Sequence, residues 1–222
     1  MMKDDPRRTL VVEFTKMSGA GNDFIVLDNR FYFFGVQELS RLAQTYCARR
    51  TGVGADGLLA MENSETADFR MRYFNADGSV GSMCGNGARC LVKYAANAGI
   101  ESRPLRFETD AGDYSAELVE EEVRLFIPAY QGFEQLPADD HGPERCYLWT
   151  GTEHLVVFSD DVAKAPVGTL GPRLRQTNPP AGANVNFAQV DGEGLILRTW
   201  EKGVEGETLA CGTGATAAAA AA

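Results

Sequence analysis

At 222 residues and 24.0 kDa, with 44% apolar and 23% charged residues, the chain has material for one or two domains with a real core, and its composition excludes a disordered polymer. The 21 Lys and Arg face 31 Asp and Glu, a net charge of -10. That balance argues against a nucleic-acid partner or an anionic membrane, both of which select a cationic face.

No apolar run approaches the ~20 residues of a membrane span. The start, Met1-Met2-Lys3-Asp4-Asp5-Pro6, lacks the apolar stretch of a signal peptide, so a cytoplasmic protein is expected. Residues 1–8 are polar and read as frayed. Leu10 to Phe14 is β-branched and aromatic, which predicts a strand. Ser18-Gly19-Ala20-Gly21-Asn22-Asp23 reads as a loop before a second strand at Phe24–Leu27. Val36, Leu39, Leu42, Ala43 and Tyr46 recur at helical spacing and predict an amphipathic helix over 36–48, stopped by Gly52. From Asp68 to Phe74 the residues alternate, with Phe69, Met71 and Tyr73 on one face and Arg70 and Arg72 on the other, as in a half-buried strand. Residues 86–98 read as a helix, and 104–109, 113–119 and 122–127 as a β-meander. Pro128, Gly132, Pro137, Gly142 and Pro143 then cluster as a linker. Strands are expected near 145–149, 154–158 and 194–200. The chain closes on six alanines, 217–222, where we expect truncation.

The most informative pattern is a repeat. Arg72-Tyr73-Phe74-Asn75 leads through a Gly/Ser turn to Cys84-Gly85-Asn86-Gly87-Ala88. Arg198-Thr199-Trp200-Glu201 leads through Gly203 and Gly206 to Cys211-Gly212-Thr213-Gly214-Ala215. The period is far longer than the ~20–50 residues of solenoid repeats. It predicts a duplicated fold, a lobe over 9–127 carrying Cys84 and a lobe over 128–222 carrying Cys211.

Cys followed by Gly-x-Gly and a helical pattern sets a thiol at a helix N-terminus. The free N–H groups and helix dipole there are expected to lower the thiol pKa and to hold a carboxylate. Neither copy continues as a phosphate loop or a dinucleotide fingerprint. Two equivalent thiols suit inversion of a stereocentre: one removes a proton from one face, and the other returns a proton to the opposite face. Converging helix N-termini would stabilise the carbanion between them. Five cysteines in a cytosolic chain do not form a disulfide framework. Cys47, Cys90 and Cys146 read as packing residues. No zinc site is expected, because Cys-x-x-Cys is absent and His141 falls in the linker.

These motifs resemble the diaminopimelate epimerase family. The resemblance runs through Phe14–Phe24, Thr51–Gly57, Phe74–Ser79, Met83–Cys90, Gly182–Phe187 and Glu207–Gly214, in order along nearly the whole chain. It implies an α/β protein of the α+β type, with two pseudo-symmetric lobes of mixed β-sheet, each wrapped around a helix, and an active site in the cleft between them. The implied reaction interconverts LL- and meso-2,6-diaminopimelate for lysine and peptidoglycan precursors, without cofactor, pyridoxal phosphate or metal. Cys84 and Cys211 would be the acid/base thiols, and His154 and Glu201 would tune them. Asn22, Asn75 and Asn184 would bind the substrate's amino and carboxylate groups, with Glu201 and Lys202 beside them. Gly85-Asn86 and Gly212-Thr213 would offer backbone amides to the α-carboxylate. The partners implied are the small-molecule substrate and a second copy in a homodimer.

The chain departs from the family at Lys202 (usually Arg), Glu153 (usually Pro), Thr152 (commonly Asn) and Gly57 (Gln in some members). Lys attracts a carboxylate but lacks the bidentate fork of Arg. Two alternatives remain at this stage. One is another two-thiol amino-acid racemase, of the proline racemase kind. The other is a catalytically weak binding or redox-switch relative.

Overall fold

The computed structural model describes residues 11–177 and 182–222. Fourteen strands among them form two mixed sheets. The first contains β1 (Thr15–Gly19), β2 (Asn22–Asp28), β3 (Gly57–Glu62), β4 (Phe69–Asn75), β5 (Val80–Gly81), β6 (Leu105–Thr109), β7 (Gly112–Val119) and β8 (Glu122–Phe126). Its order is β1-β2-β3-β4-β6-β7-β8, with β5 paired to β4. The second contains β9 (Gln131–Leu136), β10 (Arg145–Trp149), β11 (Glu153–Phe158), β12 (Asn184–Asp191), β13 (Gly194–Glu201) and β14 (Gly206–Thr208), in the order β14-β13-β12-β11-β10-β9.

The duplication is visible element by element. In the first half β2 runs parallel to β3, and the short α1 (Asn29–Tyr32) and α2 (Val36–Tyr46) lie between them in the chain. In the second half β11 runs parallel to β12, with α4 (Val167–Arg175) between them. An antiparallel strand and a short partner follow in each half, β4 and β5, then β13 and β14. Each unit ends in a helix that starts just after a cysteine: α3 (Gly85–Asn97) and α5 (Gly212–Ala221).

Burial on both faces explains the packing. Phe24 and Val26 of β2, with Leu59 and Met61 of β3, face Ala88, Leu91, Val92 and Ala95 of α3. The alternate residues Ile25, Leu27, Leu58 and Ala60 face Leu39 and Ala43 of α2. The second sheet repeats this. Val156 and Ala188 pack on Ala217 and Ala218 of α5, while Leu155, Val157, Val185 and Phe187 pack on the α4 side with Val167 and Leu174. Each large aliphatic or aromatic side chain so buried contributes about 1.5–3 kcal/mol.

Several expectations are corrected. Residues 11–14 are irregular, and the first strand starts at Thr15, because the two-residue turn Ala20-Gly21, both at positive φ, closes a hairpin on the Gly19–Asn22 pair. Ser18, Gly19, Asn22 and Asp23 are therefore strand residues. Leu10 and residues 1–8 lie outside the described residues. The proposed linker also fails as a loop: Gln131–Leu136 is β9, paired along β10. The first sheet ends at Phe126, and a division of the chain near residue 127 remains our proposal. The amphipathic helix and the meander lie where the periodicity set them, within two residues at each end. No helix among the described residues is long and apolar enough to cross a membrane.

Candidate active site

α3 and α5 meet between the sheets. Arg89 marks their convergence. A Cβ on Gly85, the first residue of α3, would lie 3.8 Å from its Nη1, and one on Gly212, the first residue of α5, would lie 3.2 Å from the same atom. A cavity of about 490 Å³ opens here. Tyr73, Asn75, Met83, Cys84, Gly85 and Asn86 line it from the first half. Trp149, Thr152, Glu153, Asn184, Glu201, Lys202, Cys211, Gly212 and Thr213 line it from the second.

The two cysteines sit in matching local structure. Each is the N-cap residue of its helix in extended backbone, Cys84 at φ -139° and Cys211 at φ -127°. The Gly87 amide donates to Cys84 Sγ at 3.4 Å, and the Gly214 amide donates to Cys211 Sγ at 3.4 Å. Gly214 has no room for a side chain. A Cβ there would collide with Asn186 Oδ1 and lie 3.2 Å from Cys211 Sγ.

The expected lowering of the thiol pKa is not what the site does. Burial pushes Cys84 up to about 12, with Glu201 and Cys211 adding to the rise, and the amides of Gly87 and Asn86 offset only part of it. Burial and Glu201 push Cys211 up to about 11 against Thr213 and Gly214. Glu201 raises both thiols, so its carboxylate lies within electrostatic reach of each sulfur. Burial pushes its own carboxyl up, and its Oε2 has no well-formed hydrogen bond among the described residues. Desolvation therefore outweighs the helix ends, and both sulfurs rest as thiols.

The asparagines are oriented by their neighbours. Tyr73 donates to Asn75 Oδ1 at 2.7 Å, and Asn75 Nδ2 donates to Ser79 Oγ at 2.9 Å. Asn184 Oδ1 accepts from the Lys202 amide at 2.8 Å, and its Nδ2 donates to the Glu153 carbonyl at 3.3 Å. Lys202 Nζ donates to Glu153 Oε2 at 2.6 Å.

Two expected site residues do not line the cavity. Asn22 stands behind Asn86: its Oδ1 accepts from Asn86 Nδ2 at 2.7 Å, and its Nδ2 donates to Asp56 Oδ2 at 3.1 Å. His154 is fully buried on β11. Asn186 Nδ2 lies 3.0 Å from its Nδ1, and that amide also donates to the Leu155 carbonyl, while Asn186 Oδ1 accepts from Thr199. The Asn186 amide is thereby oriented, so His154 Nδ1 is the acceptor and its proton sits on Nε2. Burial and the Lys202 charge push this imidazole down to about 3, with Glu153 opposing. A neutral His154 thus braces Asn186, which packs against the start of α5.

Tyr73 and Trp149 were missed. Tyr73 carried a usable signal: it shares the apolar face of β4 yet ends in a hydroxyl, which needs a partner when buried. Cys47, Cys90 and Cys146 are buried packing residues, as expected.

The model of the family described as diaminopimelate epimerase matches residues 14–131 and 146–222. The chain is 46% identical over 211 residues to the diaminopimelate epimerase of Chlorobaculum tepidum, covering 91% of this chain and 80% of that protein. It is 43% identical over 223 residues to that of Aquifex aeolicus, covering 94% and 80%. In fold it is similar to a protein from Agrobacterium radiobacter described as a probable proline racemase, with TM-score 0.67 at 16% identity over 94% of this chain and 76% of that one. With matching cysteine-capped helices facing one cleft, the chain belongs to the diaminopimelate epimerase family.

Proposed function

We propose that this protein interconverts LL- and meso-diaminopimelate by a two-thiol mechanism, in the supply of lysine and peptidoglycan precursors. The observation that carries the reading is that Cys84 and Cys211, each capping a helix in its own half, open onto one cavity. A stereocentre lying between them meets one sulfur on each face.

Both thiols rest protonated, so one must release its proton before it can act as base. Glu201, a half-buried carboxylate whose charge acts on both, is the acceptor we assign. The thiolate removes the α-proton, the carbanion forms against the amides at the starts of α3 and α5, and the opposite thiol delivers its proton to the other face. The first-turn amides also suit the α-carboxylate, since they have no intrahelical partner. Asn75 and Asn184 hold the remaining polar groups. Phe14 and Phe31, exposed beside Thr15 at the start of the edge strand β1, supply apolar surface for a second copy in a cytoplasmic homodimer.

The test is incubation of the full chain with LL-diaminopimelate in heavy water, followed by proton NMR. We expect loss of the α-proton signal and appearance of the meso isomer. Replacing either Cys84 or Cys211 by Ala should lower inversion by about 10²–10⁴-fold. Two-way turnover by either variant at the unaltered rate would overturn the two-thiol assignment. Exchange on proline in preference to diaminopimelate would point instead to the racemase alternative.

A further inference from the structure

The helix that carries Cys211 packs on the second sheet, but the two residues before that cysteine do not. Gly206–Thr208 is β14 and Gly212 opens α5, while Leu209 and Ala210 belong to neither a strand nor a helix. Both touch the first half instead. The Ala210 carbonyl accepts from the side-chain amide of Asn86. Leu209 lies on the β1–β2 turn, where a Cβ on Gly21 would fall 2.6 Å from its Cδ1. The approach to Cys211 is thus set from across the cleft.

Asn86 does not set its own direction. A side-chain amide has a donor end and an acceptor end, and flipping it exchanges them. Asn86 Nδ2 faces two acceptors, Asn22 Oδ1 and the Ala210 carbonyl, while Asn86 Oδ1 faces Arg89. Asn22 must therefore show Asn86 its oxygen, and Asp56 makes it do so. Asn22 Nδ2 donates to Asp56 Oδ2 at 3.1 Å. A carboxylate only accepts, so a flipped Asn22 would set oxygen against oxygen at Asp56 and amide against amide at Asn86. The series of bonds from Asp56 to Ala210 runs in one direction only.

Asp56 is itself anchored. It comes immediately before β3, its amide donates to the Asp23 carbonyl at 2.8 Å, and its Oδ2 accepts from the Asp23 amide at 3.1 Å. Its other oxygen accepts from Arg49 at 2.6 Å. The Arg49 side chain is 60% exposed, and an ion pair so placed contributes little. What matters is the acceptor that Asp56 offers to Asn22, not its pairing with Arg49.

We infer that Asp56, which lines no part of the cavity, is a positioning residue for the thiol of the opposite half, orienting Asn22 and through it Asn86, which holds the backbone just before Cys211. The inference rests on the proposed epimerisation only in treating Cys211 as a reacting thiol. Cys84 supplies an internal control. It caps α3 within the first half, and none of these bonds reaches Met83 before it.

The experiment compares wild type, Asp56→Ala, Asp56→Asn and Arg49→Gln in the full chain. Asp56→Ala removes the acceptor. Asp56→Asn keeps an oxygen for Asn22 and leaves Arg49 paired with Asp23. In α-proton exchange of diaminopimelate in heavy water, Asp56→Ala should lose about ten- to a hundredfold in kcat with little change in KM, the cost of a displaced reacting group, while the other two variants stay within about threefold of wild type. Iodoacetamide labelling of the free protein at mildly alkaline pH, read thiol by thiol in the mass spectrometer, gives the second measure. Asp56→Ala should speed Cys211 by about threefold or more, because a loosened backbone uncovers the sulfur, and leave Cys84 within about twofold. A general loss of stability would move both thiols together. An equal change at both thiols, an unchanged Cys211, or a folded Asp56→Asn as impaired as Asp56→Ala overturns the inference. If Asp56→Ala does not fold, the labelling of Asn22→Ala, which cuts the same series one bond later, decides on the same terms. A wild type that exchanges no α-proton overturns the epimerase reading, and the split between the two thiols still decides the inference.

Discussion

The side-chain amide of Asn86 donates to the carbonyl of Ala210 at 3.1 Å, joining residues 124 apart in the chain. One residue lies two positions after Cys84, and the other immediately precedes Cys211. The same amide donates to Asn22, and its oxygen accepts from Arg89. A single side chain therefore ties the starts of both cysteine-capped helices together.

Asn86→Ala removes that tie while leaving both sulfurs in place. We expect a loss of about 1–3 kcal/mol in urea unfolding, the range for breaking buried hydrogen bonds. Inversion should fall more than substrate binding does, because the distance between the reacting groups changes first. Steady-state kinetics separates the two: a drop in kcat with a small change in KM is the expected result.

The raised thiols make a second prediction. With Cys84 near 12 and Cys211 near 11, iodoacetamide should label both slowly at neutral pH in the free protein. Labelling should climb about tenfold per pH unit up to pH 9, because the thiolate is the nucleophile and its fraction rises in that proportion below the pKa. Mass spectrometry of both peptides across pH reads this directly. A plateau below pH 8 would mean a thiolate already formed at rest. Glu201→Gln, which removes the charge that raises both, should bring labelling forward to lower pH.

His154 predicts acid sensitivity. Its folded pKa is depressed from 6.5 to about 3. The unfolded chain takes up a proton that the folded one refuses, so the histidine's contribution is complete above about pH 6.5 and is lost as pH falls toward 3. The unfolding free energy from denaturant titrations should decline by up to about 1.4 kcal/mol per pH unit through that window. His154→Gln should flatten this part of the profile, even if it lowers stability at neutral pH by disturbing Asn186.

Much of the arrangement was legible because it was written twice. The repeated Cys-Gly-x-Gly-Ala positioned both cysteine caps without any long-range information. Two of the strands buried on both faces were not legible, although Phe24–Leu27 and the strand near 154–158, buried in the same way, were read correctly. Gly57–Glu62 packs Leu59 and Met61 one way and Leu58 and Ala60 the other, so it carries no alternation to detect. Asn184–Asp191 hides for the same reason, with its buried asparagines further disguising it as loop. The thiol shifts were misjudged because composition marks a helix start but not how much protein closes over it. Asn22 was expected to bind substrate and His154 to tune a thiol, and both stand one layer behind the cavity wall, a depth that only packing determines.

Arg89 reaches from α3 to the beginnings of both helices, although it belongs to the first half alone. Each sulfur is carried by its own half, so the space between them depends on how two bodies lean together rather than on either side chain's rotation. A tilt of a few degrees at the α3–α5 contact would separate donor from acceptor. Were such tilting to pace turnover, thickened solvent would slow the reaction without touching any reacting atom.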